Sequence, residues 1–136
     1  MIYAVIDTNV LVSALKTRHH DSATARVLSA IFEGKVTPLY NEAIIAEYQE
    51  VLARPRLKLD LEKCEFIVSY IVDFGLDIIA AKSNIEMIDE DDRVFYGVAL
   101  GARELDAKLV TGNSKHFPLV DFVLSPTEFC RLLDSE

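Results

Sequence analysis

Short apolar runs rich in β-branched residues alternate along this chain with longer stretches whose apolar residues recur every three or four positions. The first run covers residues 2–6, helical spacing follows at 10–15 and 21–33, and the second run covers 36–40. Either Asp21 or Ser22 is predicted to cap the helix over 21–33. The runs are typical of buried strands, and the longer stretches are typical of amphipathic helices. Strands that alternate with helices predict a three-layer α/β/α fold, with helices on both faces of a mostly parallel sheet of about five strands.

The remaining elements continue this alternation. A helix is predicted from Asn41 to the residues before Pro55, which cannot continue it, and another over 61–74 with Gly75 as its stop. The inward face of this second helix is predicted to consist of Phe66, Ile67, Tyr70, Ile71 and Phe74. Later strands are expected at 77–80, 108–111 and 122–124, a helix over about 91–104, and a last helix that Ser125 and Glu128 begin as a capping box.

Length and composition limit the class of protein. With 136 residues, of which 51% are apolar, the chain can form one domain, residues 1–136, with a substantial core. No uncharged apolar stretch of about 18 residues occurs, so we expect a cytoplasmic protein without membrane contact. Cys64 and Cys130 lack the spacing of a zinc site or redox pair and are expected to be reduced, half-buried thiols.

The formal charge of −8 argues against a protein that grips nucleic acid over a broad surface, because such binding requires Lys and Arg to neutralise many phosphates. It does not exclude an enzyme whose carboxylates bind a metal ion, since the ion reverses the local sign of charge. Basic residues occur in two runs, 16–20 and 54–58. For each run, contact with phosphate and simple solvated loop charge explain the sequence equally well.

Polar residues follow two of the predicted strands directly. Asp7 comes after the first strand, and Thr111 and Asn113 come at the end of the fourth. Ligands of parallel sheets bind beyond the carboxyl ends of the strands, so we expect these side chains to reach the same rim. Asn9 is the better candidate for a helix cap, which leaves Asp7 available to bind a cation.

Other acids extend this candidate site. The helix after the second strand contains three acids, and each residue of a helix is rotated by about 100° from the one before it. By this rotation, Glu47 lies at the border of the apolar stripe, whereas Glu42 and Glu50 lie on other sides of the helix. Residues 89–92 are four consecutive acids, which either favour the start of a helix or share a bound cation. Helical phase alone does not choose among these four.

Carboxylates without a Cys or His cluster favour Mg²⁺ or Mn²⁺ over zinc. Such ions activate water and neutralise phosphate during hydrolysis. The chain lacks a glycine-rich phosphate loop, and its histidines lie in polar loops with no motif around a nucleophile. A phosphatase of the haloacid dehalogenase type is disfavoured, because its motif requires a second aspartate where this chain has Asn9.

Five segments, in order and spanning nearly the whole chain, resemble the PIN domain family, in particular its bacterial and archaeal branch described as toxin components of toxin-antitoxin systems. They are VIDTNVLVSAL at 5–15, NEAIIAEYQEVLARP at 41–55, DEDDRVFYGVAL at 89–100, LVTGNSKHF at 109–117 and VLSPTEF at 123–129. Each segment alone is weak, but the ordered set is specific. The resemblance implies a PIN-like fold with a metal-dependent ribonuclease site that cleaves single-stranded RNA.

The resemblance also implies roles for individual residues. The three acids of the family's site correspond to Asp7, Glu47 and Asp92. Among the four consecutive acids, Asp92 is the one at the family's spacing from Phe95 and Ala99. The supporting positions are Asp89 as a secondary ligand and Thr8, Asn9 and Thr111 around the ligands. The fourth catalytic position, often Asp in the family, is Asn113, which removes one negative charge and favours one firmly bound metal over two. Candidates for contact with substrate phosphate are Lys16, Arg18, Lys115 and His116.

Partners are expected on two grounds. The resemblance implies an RNA substrate and a cognate antitoxin. A homodimer or higher oligomer is also expected, because the chain has enough apolar helix surface to dimerise. The alternative function is a catalytically weak domain of the same fold that binds RNA or serves as an assembly partner, which Asn113 and the acidic composition would permit.

Overall fold

The computed structural model describes residues 1–87 and 89–136, and its five strands form one parallel sheet. The strands are β1 (Ile2–Ile6), β2 (Val36–Tyr40), β3 (Leu76–Asp77), β4 (Lys108–Val110) and β5 (Val123–Leu124). The helices are α1 (Thr8–Lys16), α2 (Ala23–Phe32), α3 (Glu42–Leu52), α4 (Leu61–Phe74), α5 (Arg93–Gly101) and α6 (Pro126–Ser135). The predicted three-layer α/β/α fold is therefore confirmed.

The strand order is β3-β2-β1-β4-β5, so β1 lies at the centre and the order reverses between β1 and β4. Ala4 of β1 pairs with Pro38 of β2 and with Lys108 of β4. Ala4, Val5 and Ile6 are fully buried, as expected for a central strand covered on both faces. In a parallel sheet, the point of reversal opens a crevice beyond the carboxyl ends of the strands, here at the ends of β1 and β4.

Several helices begin at the predicted capping residues. The side chains of Ser22 and Asn41 accept hydrogen bonds from the N–H groups of Ala25 and Ile44. Ser125 and Glu128 form the predicted capping box at the start of α6. These local bonds satisfy helix N–H groups that have no partner within the helix, which is why sequence alone locates the starts of α2, α3 and α6.

Two elements are shorter than predicted. The third strand ends at Asp77 rather than at residue 80, because the Ala81 N–H bonds to the Gly97 carbonyl and draws the chain from the sheet toward α5. The expected helix over 91–104 is divided into a 3-10 turn, Glu90–Asp92, then α5, and a second 3-10 turn, Arg103–Leu105. Leu105, in the second of these turns, is consequently 36% exposed.

The predicted inward face of α4 is wrong at its two outer aromatic residues. Phe66 and Phe74 are 57% and 64% exposed, and Cys64 and Val68 are buried in their place beside Ile67 and Ile71. Both sets recur at helical spacing, so periodicity alone does not distinguish them. The position of α4 against α3 and β2 makes the choice.

The cysteines are free but differ from their predicted burial. Cys64 and Cys130 are 5% and 4% exposed, and are therefore buried rather than half-buried. Burial raises the pKa of both thiols, which favours the protonated, unreactive form. Within residues 1–87 and 89–136, no helix has the length and apolarity needed to cross a membrane.

Candidate metal centre

Asp7 and Thr111 meet at the rim where the strand order reverses. The Asp7 N–H continues the sheet by donating to the Val110 carbonyl at 2.9 Å. The Thr111 hydroxyl donates to Asp7 Oδ2 at 2.7 Å, and both residues are buried. The end of β4 therefore holds the carboxylate that follows β1.

The prediction that Asn9 caps α1 is wrong, because the helix begins at Thr8 and Asp7 occupies the cap position without a side-chain capping bond. Asn9 instead connects two loops. Its Nδ2 donates to Asp7 Oδ2 at 3.3 Å, and its Oδ1 accepts from the Gly112 N–H at 3.0 Å. Asn9 thus helps to hold Asp7 against the loop that follows β4.

Helix α3 brings Glu47 to the same rim. The Thr8 hydroxyl donates to Glu47 Oε2 at 2.8 Å, and the neighbouring Tyr48 donates from its buried hydroxyl to the Ile6 carbonyl. The latter contact anchors α3 to the end of β1. Glu42 and Glu50 are exposed, so the helical phase correctly separated Glu47 from both.

The four consecutive acids have different roles in the structure. Asp89 accepts a hydrogen bond from the Asp91 N–H at 3.0 Å and so caps the 3-10 turn. Glu90 points elsewhere and binds Arg93 at 2.7 Å. Asp89, Asp91 and Asp92 line the cleft beside Asp7.

Arg93 fixes the loop that carries these acids. Besides binding Glu90, its guanidinium donates to the carbonyls of Ser83 and Ile85, each at 2.6 Å. The planar group therefore joins the 3-10 turn to the chain segment that follows β3. Asp92 immediately precedes Arg93 and is positioned by this contact.

Asp92 is the most electrostatically strained of the acids. Its side chain is 15% exposed, and its buried Oδ2 forms no hydrogen bond with any described residue, while the imidazole Nδ1 of His116 lies 3.5 Å away. Burial, followed by repulsion from Asp7 and Asp89, raises the pKa of Asp92 to about 6, and His116 opposes the change. A cation at this oxygen would relieve the repulsion.

The pKa values of Asp7 and Tyr48 also respond to the negative charge of neighbouring carboxylates. Burial raises the pKa of Asp7, the Thr111 hydrogen bond partly offsets it, and the Glu47 carboxylate raises it further. Burial raises the pKa of Tyr48, and the charges of Asp7 and Glu47 add to the effect. The carboxylates thus share one low-dielectric neighbourhood.

These residues border an open cleft of about 380 Å³. It is lined by Asp7, Thr8, Asn9, Val12, Ser13, Glu47, Val51, Arg54, Arg56, Leu57, Asp89, Asp91, Asp92 and Phe95. In the described residues, no three His, Cys, Asp or Glu side chains stand close enough to form a complete metal cage. The donor set nevertheless fits Mg²⁺ or Mn²⁺, because its ligands are oxygens and Asp92 Oδ2 lacks a hydrogen bond within the part of the chain that the structure describes. Mg²⁺ is commonly held by one or two carboxylates, with water completing the shell.

Other predicted site residues lie outside the cleft lining. Asn113 is exposed in the loop after β4, and its backbone N–H, rather than its side chain, bonds to Thr111 Oγ1 at 3.0 Å. Lys16, Arg18 and Lys115 are also exposed. Of the four predicted phosphate contacts, His116 alone approaches a cleft acid, Asp92.

Two cleft residues were not selected from the sequence. Arg54 and Arg56 are the cations among the described residues that line it. Arg54 lies past the end of α3 at Leu52, in extended backbone, so helical phase gave no signal for it. Arg56 lies beyond the helix, where periodicity has no meaning.

The comparisons with known proteins agree with this architecture. A sequence model described as PIN domain matches residues 3–115, which include β2 to β4, all of β1 except Ile2, and all the cleft residues. No curated protein and no solved structure matches the chain.

Proposed function

This chain belongs to the PIN domain family, whose members are generally nucleases, and from that premise we propose that it is a divalent-metal-dependent endoribonuclease that cleaves single-stranded RNA. The observation that carries the proposal is the buried Oδ2 of Asp92, which has no hydrogen bond among the described residues and lies in a cleft that also contains Asp7 and Glu47. Three carboxylates from distant parts of the chain raise the electrostatic energy of the folded protein. A catalytic cation accounts for that arrangement, whereas folding alone does not require it.

The proposed reaction is hydrolysis. Water attacks phosphorus, the ester bond to the leaving oxygen breaks, and the leaving oxygen gains a proton. A bound Mg²⁺ or Mn²⁺ supplies positive charge to the phosphate and lowers the pKa of a water molecule. Asp7, Asp92 and Glu47 would hold the ion directly or through water, with Asp89 as a secondary ligand, and a carboxylate of this set accepts the proton of the attacking water.

The surrounding residues hold these ligands in place. Thr111 and Asn9 orient Asp7, and Thr8 orients Glu47, each through a side-chain hydrogen bond. Residues that orient ligands commonly tune metal affinity as strongly as some ligands do. The proposal therefore extends to these three positions.

The test is cleavage of an unstructured, fluorescently labelled RNA by the purified protein in Mn²⁺, with EDTA as the blank. Asp7→Asn and Asp92→Asn should each reduce the rate by at least about a hundredfold while leaving the circular dichroism spectrum unchanged. If both variants cleave as fast as the wild type, the metal site is not the catalytic site and the proposal fails.

Helix α3 offers a matched control. Glu47→Gln and Glu42→Gln make the same chemical change on one helix, but only Glu47 lines the cleft, while Glu42 is exposed in the first turn. We expect Glu47→Gln to lower the cleavage rate and Glu42→Gln to leave it within about twofold of the wild type. Equal effects would show that loss of general negative charge, rather than loss of a ligand, is responsible.

A second candidate is a catalytically weak domain that binds RNA or serves in assembly. It is favoured by the exposed position of Asn113 and by the lack of a complete three-residue cage among residues 1–87 and 89–136. This candidate predicts RNA binding that does not depend on Mn²⁺, without cleavage. The same labelled RNA, followed by fluorescence anisotropy and by gel, distinguishes the two.

We place the biological role, by resemblance, in a toxin-antitoxin pair, with this chain as the toxin. Induced expression of the wild type should then arrest growth, and Asp92→Asn should relieve the arrest. A short open reading frame adjacent to the coding sequence, encoding a DNA-binding antitoxin, should restore growth when it is co-expressed. Normal growth of cells that accumulate active wild-type nuclease would contradict the toxin role.

A further inference from the structure

Two arginines, Arg54 and Arg56, line the cleft together with its acids. Helix α3 ends at Leu52, and Arg54 and Arg56 flank Pro55, which begins a 3-10 turn, Pro55–Leu57. The turn is closed by hydrogen bonds from Leu57 N–H to the Arg54 carbonyl and from Lys58 N–H to the Pro55 carbonyl. The backbone of this segment is therefore fixed by proline and by local hydrogen bonds.

The two arginines are not neutralised by the acids of the cleft. Arg54 makes a forked contact with Glu50, at 2.8 Å and 3.1 Å, and Glu50 lies outside the cleft lining. Arg56 is exposed and forms no ion pair in the part of the chain that the structure describes. Five cleft acids, Asp7, Glu47, Asp89, Asp91 and Asp92, thus lie in the same depression as a guanidinium that none of them engages.

An anion supplied by a ligand fits this pattern. A strand of RNA that has one phosphate at the acids must place its neighbouring phosphates along the edges of the cleft, and a guanidinium recognises phosphate through paired N–H donors. For a chain with net charge −8, local cations are also needed to offset repulsion of the polyanion. No other cation among the described residues lines the cleft.

We propose that Arg56, assisted by Arg54, binds the RNA phosphate next to the scissile one, so that the Arg54–Leu57 segment sets the path of the strand. The proposal rests on the ribonuclease function proposed above. It assigns Arg56 to substrate binding and leaves the metal chemistry to the acids. Arg54 contributes less, because Glu50 already offsets its charge.

The test compares Arg56→Gln with Lys58→Gln, which removes a charge two residues away and outside the cleft lining. Steady-state cleavage of the labelled RNA in Mn²⁺ is measured between 50 and 200 mM KCl. Arg56→Gln should raise KM by roughly three- to tenfold, keep kcat within about twofold, and reduce the slope of log KM against log salt by about 0.7. Arg54→Gln should raise KM by less, and Lys58→Gln should resemble the wild type.

Binding of the same RNA, measured by anisotropy in Ca²⁺ and in EDTA, separates this proposal from the function on which it rests. If the wild type binds RNA without cleaving it, the nuclease proposal fails, and a weaker affinity of Arg56→Gln than of Lys58→Gln still supports the arginine assignment. If the wild type cleaves but Arg56→Gln and Lys58→Gln share its KM and salt slope, the arginine assignment is overturned. It is also overturned if the wild type does not bind RNA.

Discussion

Thr111 donates a 2.7 Å hydrogen bond to the carboxylate of Asp7, a residue 104 positions away in the sequence. Both side chains are buried, and Thr111 Oγ1 also accepts from the Asn113 N–H. This hydroxyl is therefore the link between the central strand, its neighbour and the loop that follows. It also favours the charged form of Asp7 against the effect of burial.

Thr111→Val should remove this link without changing the shape of the side chain. Asp7 would remain buried with one donor fewer, so its pKa should rise further, and the variant should lose about 1–2 kcal/mol of unfolding free energy. Weaker Mn²⁺ binding should accompany the loss, measured by calorimetric titration at neutral pH. Thr111→Ser keeps the hydroxyl and should retain most of the affinity, so equal binding by both variants would contradict the assigned role.

Asp92 should destabilise the metal-free protein at neutral pH. Its carboxyl has a pKa of about 6 in the folded chain against an ordinary value of 3.8, so the folded state binds the proton more tightly. The contribution of Asp92 to stability is consequently greatest below about pH 4, is lost as the pH rises toward about 6, and stays absent above it. The full difference corresponds to at most about 3 kcal/mol, and partial solvation reduces it to roughly 1 kcal/mol.

Asp92→Asn should therefore raise the melting temperature in EDTA at pH 7.5 by about 3 °C. The gain should shrink as the pH is lowered to 4, where the wild-type carboxyl is protonated. Added Mn²⁺ should stabilise the wild type more than the variant, because it screens the charge that Asp92 carries. A variant that melts below the wild type in EDTA at pH 7.5 would show that Asp92 is not strained.

Asn113→Ala should retain most of the nuclease activity. The Asn113 side chain is exposed and outside the cleft lining, whereas its backbone N–H, which alanine preserves, bonds to Thr111. We expect a rate within about threefold of the wild type, since exposed side chains without contacts contribute little. A loss as large as that of Asp7→Asn would show that the amide acts directly in the site.

Arg93→Ala should loosen the acidic loop. The change removes the contacts to Glu90 and to the carbonyls of Ser83 and Ile85, so the free energy of unfolding should fall. It should also weaken Mn²⁺ binding, because Asp92 precedes Arg93 directly. As a control, Arg26→Ala breaks an exposed ion pair with Asp134 and should change neither stability nor Mn²⁺ binding measurably. If the two variants have effects of the same size, Arg93 does not specifically hold the acidic loop in place.

Gly101→Ala should destabilise the fold. An added Cβ would lie 2.1 Å from the Ile79 carbonyl oxygen, which is backbone and cannot rotate away. Relief requires the segment after β3 to move from α5, at a cost of about 1–3 kcal/mol. In Gly112→Ala, the added Cβ would lie 3.4 Å from Asn9 Oδ1, which is an ordinary van der Waals contact. Denaturant unfolding should therefore give this variant a free energy of unfolding close to that of the wild type.

Elements with local signals were predicted well. β1 and β2 have the expected bounds, and Asn41, Gly75 and Ser125 end or begin helices as expected. Each depends on neighbouring residues: a β-branched run, a capping side chain or a glycine stop. The third strand was predicted too long, because its end depends on the bond from Ala81 to Gly97 sixteen positions later.

The sequence by itself determined the alternation of strands and helices, the parallel sheet, and the placement of Asp7 and Thr111 at one rim. These follow from periodicity, capping and the rule that parallel strands share a carboxyl end. Tertiary structure alone decided which of the four acids turns away with Arg93, which face of α4 is buried, and that Arg54 and Arg56 border the cleft while Asn113 does not. Those outcomes depend on contacts between segments far apart in the chain, and neither periodicity nor local composition encodes such contacts.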